Sequence, residues 1–295
     1  MNVKIQDKIW TTILYFISAF MMFLLIYLIG YILIEGIGHI SFSFLTTDPL
    51  IGEAGGGIAP QLFNSFYMLI ISLLMTIPIS IGAGIYLAEY AQEGPILNII
   101  RLSIETMASL PSIVVGLFGL LIFVKATGWG FTLLSGALAI SILNLPSMTR
   151  ISENAIRISS KGLKEGSIAL GATRWQTMKN VVLPVATPQI LTGIILAGGR
   201  IFGEAAALLY TSGMSAPPLS FSLENIFSVN SPFNPMRPAE TLAVYIWQVN
   251  SEGMIPDATK VGSASSAILI IIVLIFNIMA RIIGNLIHRK YVGEK

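Results

Sequence analysis

The chain has 295 residues, of which 54% are hydrophobic and only 11% are charged, and its mean hydropathy is +0.80. This balance lies far outside that of a soluble domain, so we expect the chain to fold in a lipid bilayer. A formal charge of only +2 gives no reason to expect a nucleic-acid partner. The absence of cysteine excludes disulfides and thiolate chemistry.

Several apolar runs are long enough to cross a hydrocarbon core of about 30 Å as helices. Their patterns lack the alternation of membrane strands, which predicts an all-α membrane protein. The six predicted spans are Trp10–Ile34, Phe63–Tyr90, Ile104–Lys125, Phe131–Met148, Ile190–Thr211 and Ser266–Ile287. We expect the first to be retained, because it is too long for a signal-peptide core and no small-x-small cleavage site follows it.

These spans divide the chain into four regions, and the third of them is rich in proline. The regions are 1–62 with the first span and an external loop, 63–211 as the core with a cytoplasmic connection at 150–189, 212–265 as a second external loop, and 266–295 with the last span and a basic tail. Prolines exclude one continuous helix in the second external loop. Its stretch LAVYIWQ predicts a short helix lying on the membrane surface through Tyr245 and Trp247.

The distribution of basic residues predicts the orientation of the chain. With the N-terminus inside, only three of the 17 lysines and arginines fall in external segments, namely Lys125, Arg237 and Lys260. Arg200 lies within the fifth span, and the remaining basic residues are cytoplasmic. Because membrane proteins concentrate lysine and arginine in their cytoplasmic loops, both termini are expected in the cytoplasm.

The stretch EGSIALGATRWQTMKNVVLP, residues 165–184, is half polar although it lies between two apolar runs. Gly171 is expected to end or bend a helix there, and Pro184 to stop the helical segment after that bend. Four apolar residues fall near one helical stripe: Ile168, Trp175, Met178 and Val182. Amphipathicity alone leaves open a short helix that lies at the lipid headgroups.

The spacing of this stretch is similar to the E-A-A loop in the membrane subunits of ATP-binding-cassette importers. The matching positions are Glu165-Gly166-Ser167, Gly171, Val181 and Leu183-Pro184, with Gly166 and Ser167 in place of two alanines. The resemblance implies a short helix that docks into a groove of the ATPase subunit. Its residues are Glu165, Gly166, Ser167, Ile168, Ala169, Leu170 and Gly171.

The chain itself lacks the equipment of an enzyme. It has no G-x-x-x-x-G-K-[ST] run, and its glycine-rich segment EAGGGIAPQ lacks the lysine that would meet phosphates. His39 and His288 are far apart at opposite predicted membrane faces, and no paired acidic motif indicates a metal site. We therefore expect no cofactor on this chain, with ATP and magnesium bound by a partner subunit.

The fifth span contains a charged pair, Arg200 and Glu204, whose spacing of four predicts one shared helix face. A lone arginine at mid-membrane costs about 2.5–3.5 kcal/mol on insertion scales, so it is expected to be paired and to face a cavity or a partner. Its planar fork of donors suits a tetrahedral oxyanion. The alternative is an ion pair that only locks helices together, and Tyr210 and Asn144 are either further pathway residues or interhelical hydrogen-bonding groups.

Three sequence features together are similar to the phosphate-specific PstA permeases: R-x-x-G-E in the fifth span, IYLAEYA at 85–91, and GGGIAP before the second span. In that family the arginine and glutamate of this helix are associated with phosphate passage, and they match Arg200 and Glu204. The resemblance implies a type I ABC importer permease fold in the bacterial cytoplasmic membrane. It also implies a PstC-like membrane subunit, two copies of a PstB-like ATPase and an external PstS-like binding protein.

Alternatives remain for the cargo and for the energy source. Permeases for sulfate or molybdate share the loop motif, so the substrate prediction depends chiefly on the fifth span. An ion-gradient carrier is the alternative from another class, and such carriers often contain internal repeats that this sequence does not show.

Overall fold

The computed structural model describes residues 3–50, 52–160, 162–220, 228, 230–253 and 255–292, with the side chain of His288 outside that description. Within these ranges, three helices end in or begin with a π-helical segment, at Tyr86–Tyr90, Leu120–Ala126 and Met178–Val182. The helices are α1 (Val3–Ile37), α2 (Phe42–Thr46), α3 (Ala59–Ile85), α4 (Pro95–Ala108), α5 (Ser112–Gly119), α6 (Leu133–Ser160), α7 (Leu163–Ala169), α8 (Arg174–Thr177), α9 (Leu183–Gly203), α10 (Ala206–Leu209), α11 (Leu242–Glu252) and α12 (Ala258–Val292).

Four helical stretches of the described chain are long and apolar enough to cross a membrane, or five if one bent pair counts as a single span. The four are Lys4–Ile37, Ala59–Tyr90, Arg174–Gly203 and Ala258–Gly284. The predicted span 131–148 lies in α6, which is absent from the four because small and polar residues lower its hydropathy. Four or five of the six predicted spans thus have a counterpart by length and composition, and α6 is a largely buried central helix.

The predicted third span, Ile104–Lys125, is wrong as a single helix. α4 and the helix that continues from α5 to Ala126 meet at 97°. Pro111 has an extended backbone and precedes α5, and proline disfavours helical geometry in the residue before it. The bend therefore occurs where the sequence places proline, which lies inside the predicted span.

Pro184 does not stop the helix that contains it, contrary to the sequence prediction. The segment Arg174–Gly203 is one continuous helical stretch. Just before the proline, the N–H of Leu183 donates to the carbonyl of Met178, five residues back. Proline has no N–H to donate to a helical hydrogen bond. Because the backbone hydrogen bonds already span five residues instead of four at this point, the helix accommodates Pro184.

α6 forms the centre of the bundle, with α3 and α9 packed against it. α12 packs on α9, and it also contacts α1 and α11. Three clusters of buried apolar side chains lie at successive levels: a central one around Phe202, one around Leu242 and one around Met178. These clusters fix α3 and α9 relative to α6 and thereby position the polar groups described below.

The predicted short helix in the second external loop exists as α11, but it does not lie on the membrane surface. Its residues Leu242, Tyr245 and Val249 are buried against α12 and the start of α3, and Val244 packs in the central cluster around Phe202. Only Trp247 of the two predicted anchors is exposed. The apolar face that indicated a lipid contact is used for packing within the chain.

α1 stands apart from the bundle over most of its length. None of its most apolar window is buried, and its contacts within the chain are with α12. The closest approach occurs at Gly36, where a Cβ atom would collide with the carbonyl of Ser263 and the side chain of Ala267. Glycine is thus required for α1 to reach α12.

We predict that Gly36→Leu separates α1 from α12 and lowers the free energy of unfolding by about 1–3 kcal/mol, because the added side chain overpacks a backbone contact. The measurement is thermal unfolding of the purified protein in detergent. Gly30→Leu is the matched control, since a Cβ at Gly30 of the same helix meets nothing within 4 Å. Equal unfolding temperatures for the two variants would contradict the contact.

Candidate functional site

The short helix α7 protrudes at one end of the bundle and carries the E-A-A-like sequence. It begins after Gly162 and ends at Ala169, and Gly171 follows with a φ of +89°. A positive φ suits glycine and reverses the chain, so the prediction that Gly171 ends the helix is confirmed. α8 then starts with a capping box in which Thr173 and Gln176 exchange hydrogen bonds at 2.9 and 3.2 Å.

The predicted apolar stripe of this loop is divided between two structural roles. Met178 and Val182 are buried in the cluster at the base of α9. Ile168 and Trp175 are exposed, and Leu170 at the end of α7 is 91% exposed. The apolar stripe was predicted on one helix, but the turn at Gly171 divides the segment into α7 and α8. The loop is therefore anchored by one pair of apolar residues and presents the others outward.

α7 is tied to the rest of the protein by polar contacts. Lys164 Nζ lies 2.7 Å from Glu89 Oε1, and the Glu89 side chain is only 5% exposed. Glu89 belongs to the π-helical turn that ends α3. The hydroxyls of Ser167 and Thr177 lie 2.9 Å apart and connect α7 to α8. α7 is thus joined by polar contacts to α3 and, through α8, to the base of α9.

A cluster of ion pairs lies beside this connection. Arg101 of α4 donates to Glu153 of α6 at 2.8 and 3.1 Å, and Arg157 approaches the same carboxylate at 3.2 Å. Glu93, in the turn between α3 and α4, lies within 3.7 Å of Arg101 and 3.4 Å of Arg157. Sequence reasoning missed these pairs, although the acidic residues of the IYLAEYAQEG stretch were a usable signal.

The predicted pair of Arg200 and Glu204 does not share a helix face. α9 ends at Gly203, and Glu204 has an extended backbone. Glu204 Oε1 accepts a hydrogen bond from the N–H of Ala207 at 3.2 Å and so caps α10. Within the described residues, no salt bridge joins Glu204 to Arg200.

The helix stops here because α10 packs closely against α5. A Cβ atom at Gly116 of α5 would come within 2.8 Å of the Ala207 Cα atom. The spacing of four residues failed as a predictor because tertiary packing turns the chain between its two members.

Arg200 lies on a continuous exposed stripe of α9, which we call the α9 stripe. Its residues follow at intervals of three and four, the period of one helix face. They are Val185, Gln189, Thr192, Leu196, Arg200 and Gly203. A face that meets only lipid would be apolar, whereas this one carries an amide, a hydroxyl and a guanidinium.

The other two predicted pathway residues have different surroundings. Asn144 of α6 is buried, and its Nδ2 donates to the carbonyl of Ile140 at 3.1 Å. Its Oδ1 has no hydrogen-bond partner among the described residues. Tyr210 is partly buried at the end of α10. That Asn144 and Tyr210 line a transport pathway remains a prediction.

At the opposite end of α3, a buried arginine organises the second external loop. Arg237 is 1% exposed and donates to the carbonyls of Ser231, Pro232 and Pro238. It also donates to Asn64 Oδ1 of α3 at 2.6 Å. Burial lowers the pKa of Arg237 to about 10, so it stays charged at neutral pH. The sequence placed Arg237 in an external segment and gave no signal that it is buried.

Glu240, three residues later, is buried beside the same turns of α3. Its Oε2 accepts a hydrogen bond from Gln61 Nε2 at 2.9 Å, and its backbone carbonyl accepts one from Asn64. Burial raises the pKa of Glu240 to about 7, against the smaller opposing effect of the Gln61 hydrogen bond. Sequence reasoning missed this residue, which has no motif around it.

Comparison with known proteins now identifies the class. Residues 80–293 match the sequence model of the family described as binding-protein-dependent transport system inner membrane component. The chain belongs to this family. It is 52% identical to the probable ABC transporter permease protein YqgI of Bacillus subtilis (strain 168), over 98% of this permease and 99% of that protein. It is 33% identical to the phosphate transport system permease protein PstA of Yersinia pestis, over 90% of this permease and 85% of PstA.

Solved structures confirm the fold of the permease. A bacterial alginate ABC transporter, in complex with its alginate-bound periplasmic protein, contains a chain with a TM-score of 0.62. The match covers 98% of this permease and 97% of that chain at 14% identity. The permease is thus an all-helical membrane component of an ABC importer with the type I fold, and its predicted resemblance to PstA permeases is confirmed.

We predict that Arg237→Met lowers the free energy of unfolding of the permease by at least about 3 kcal/mol, because it leaves Asn64 and three backbone carbonyls without a donor. The check is thermal unfolding in detergent. Lys260→Met, which removes an exposed positive charge at the start of α12, is the control and should change little. An Arg237→Met protein as stable as the control would show that the buried network is dispensable.

Proposed function

We propose that this permease carries inorganic phosphate into the cell as one of two membrane subunits of an ATP-driven importer. The observation that carries the proposal is Arg200 on the exposed α9 stripe, within a chain related to PstA over 90% of its length. A guanidinium presents a planar fork of donors to a tetrahedral oxyanion and stays charged at every relevant pH.

The exposure of Arg200 also supports the position of the pathway. Among the described residues, no carboxylate lies within salt-bridge distance of it. A charged side chain on a membrane helix has to face a partner or a water-filled space rather than lipid. The phosphate pathway therefore runs along the α9 stripe, between this chain and a second, homologous membrane subunit similar to PstC. Glu204, as the cap of α10, positions the turn beside Arg200 rather than forming an ion pair with it.

The energy for transport reaches the pathway through α7. Leu170, Ile168 and Trp175 form an exposed apolar surface that suits a groove on a cytoplasmic ATPase, of which two copies similar to PstB serve the importer. ATP and magnesium act on those subunits. Closure of the ATPase pair moves α7, and the contacts of Lys164 and Ser167 pass the movement to α3 and α9. Access to the site then alternates between the two sides.

This assignment fixes the orientation of the chain in the bacterial cytoplasmic membrane. The end with α7 faces the cytoplasm, together with both termini. The opposite end, with α11 and the second external loop, faces a phosphate-binding protein similar to PstS. Phosphate leaves that protein and enters the pathway between the two membrane subunits.

We expect Arg200→Ala to lower phosphate uptake by at least about tenfold while the permease still co-purifies with its ATPase, because the main oxyanion donor is lost from the pathway. The measurement is uptake of radiolabelled phosphate by the reconstituted importer. Arg281→Ala is the control, since it removes an exposed arginine from α12.

Either of two results would overturn the assignment of phosphate. Normal uptake by an assembled Arg200→Ala importer would make the arginine structural. If the parent importer takes up sulfate or molybdate instead of phosphate, the assignment as an importer permease stands and the assigned substrate is wrong.

The connection between α7 and α3 has its own test. Lys164→Glu or Glu89→Lys alone places two like charges together at a partly buried site, and we expect each to lower phosphate uptake per ATP hydrolysed by at least about fivefold. The double variant restores the pair in reverse and should recover most of the coupling. Lys179→Glu is the control, because Lys179 is exposed in the same loop. Failure of the double variant to recover would show that the pair does not transmit the movement.

A further inference from the structure

A small cavity lies at the external end of the permease, beside Glu240. Its volume is about 190 Å³, and it is bounded by the segment after α2, the segment after α10, and α11. This volume is below the range of about 300–1,000 Å³ that holds a drug-sized ligand, and it suits a single extended side chain. Its walls are largely apolar, with Leu50, Met214, Val249 and Ile255 among them.

Glu240 gives this cavity one charged wall. Its side chain is 3% exposed, and its Oε2 accepts the hydrogen bond from Gln61. Its Oε1 is buried and has no hydrogen-bond partner among the described residues. A buried carboxylate oxygen without a partner is costly, so the free oxygen leaves a place for a donor from outside the chain.

The neighbouring side chains do not supply that donor. Arg237 directs its nitrogens to Asn64 and to backbone carbonyls. Lys260 lines a different cavity, together with Asp257. Among the described residues, Tyr245 and Glu252 of α11 also act on this region, as does Asp257, and none of the three is positively charged.

The shape and chemistry of the cavity select the kind of group that enters it. Apolar walls suit a methylene stem, and a carboxylate suits a cationic head. Arginine prefers two parallel hydrogen bonds to both oxygens of a carboxylate, but Gln61 already occupies one of them. A lysine ammonium acts as a point charge and needs only the free oxygen.

We propose that this cavity receives a lysine side chain of the external solute-binding protein, whose ammonium pairs with Glu240. The proposal rests on the proposed function, because that function orients this end outward and supplies the binding protein. Docking then joins the binding protein to the first turns of α3 through Gln61 and Asn64. The same helix ends at Glu89, which contacts α7.

The charge state of Glu240 gives the proposal a pH signature. Burial raises its pKa to about 7, so the unoccupied site is largely neutral at pH 6 and largely ionised at pH 8. A lysine ammonium pairs with the ionised form, and docking at low pH must therefore release a proton from Glu240. Association consequently strengthens as the pH rises.

The test measures the dissociation constant between the purified importer in nanodiscs and its phosphate-loaded binding protein. For the parent we expect binding about five- to ninefold tighter at pH 8 than at pH 6, since the ionised fraction of a group with a pKa of about 7 rises from about 10% to about 90%. Glu240→Gln keeps a hydrogen-bond acceptor for Gln61, and it should weaken binding at pH 8 and abolish that pH dependence. Glu35→Gln, which removes an exposed carboxylate near the end of α1, should retain it.

Two further measurements separate a docked lysine from other occupants. Ala216→Trp fills the cavity from its wall, and it should weaken binding at both pH values. Zero-length carbodiimide coupling in the docked complex should yield an amide between Glu240 and a lysine of the binding protein, identified by mass spectrometry. n-Butylammonium, which mimics the lysine side chain, should compete with docking at pH 8, and n-butanol should not.

The outcomes distinguish this inference from the proposed function. Unchanged affinity and unchanged pH dependence in Glu240→Gln, in an importer that takes up phosphate, would overturn the lysine site alone. Binding of n-butylammonium without any competition would overturn docking and indicate a small-cation site. If no phosphate-loaded binding protein docks on the parent at any pH, both the site and the proposed function fail.

Discussion

A helix bundle in a membrane has to provide partners for its polar and charged side chains, because lipid provides none. α3 shows how this permease does so at its two ends. Near its start, Asn64 and Gln61 bond Arg237 and Glu240 of the second external loop. At its other end, Glu89 pairs with Lys164 of α7. One helix thereby links the external loop to the element that carries the E-A-A-like motif.

Arg200 and Glu240 are charged side chains that lie where, in the proposed importer, a partner protein would complete them. Arg200 is exposed on the α9 stripe. Glu240 has a free oxygen beside a small external cavity. In the proposed importer, Arg200 faces phosphate and the other membrane subunit, and Glu240 faces the binding protein. Arg200 and Glu240 thus mark the two proposed interfaces.

The sequence predicted the class and several local features, because these depend on nearby residues. Composition indicated the membrane, the spacing from Glu165 to Pro184 indicated α7, and Gly171 indicated its end. The features that it missed depend on contacts between distant segments. Glu204 leaves the helix of Arg200 because Ala207 packs on Gly116, and Tyr245 is buried because α11 packs on α12. The burial of Arg237 was missed because it depends on Asn64, 173 residues away in the chain, as well as on carbonyls of its own loop.

The most direct test of the account is the accessibility of the α9 stripe in the assembled importer, and a chain without cysteine suits single-cysteine labelling. Cysteine is introduced at Leu196 or Gly203, on either side of Arg200, and its reaction with a small water-soluble thiol reagent is followed with and without phosphate-loaded binding protein and ATP. The account predicts labelling at both positions, slowed by phosphate but not by sulfate. Positions that do not react in any state, or that react at a rate independent of phosphate, would contradict a phosphate pathway along α9.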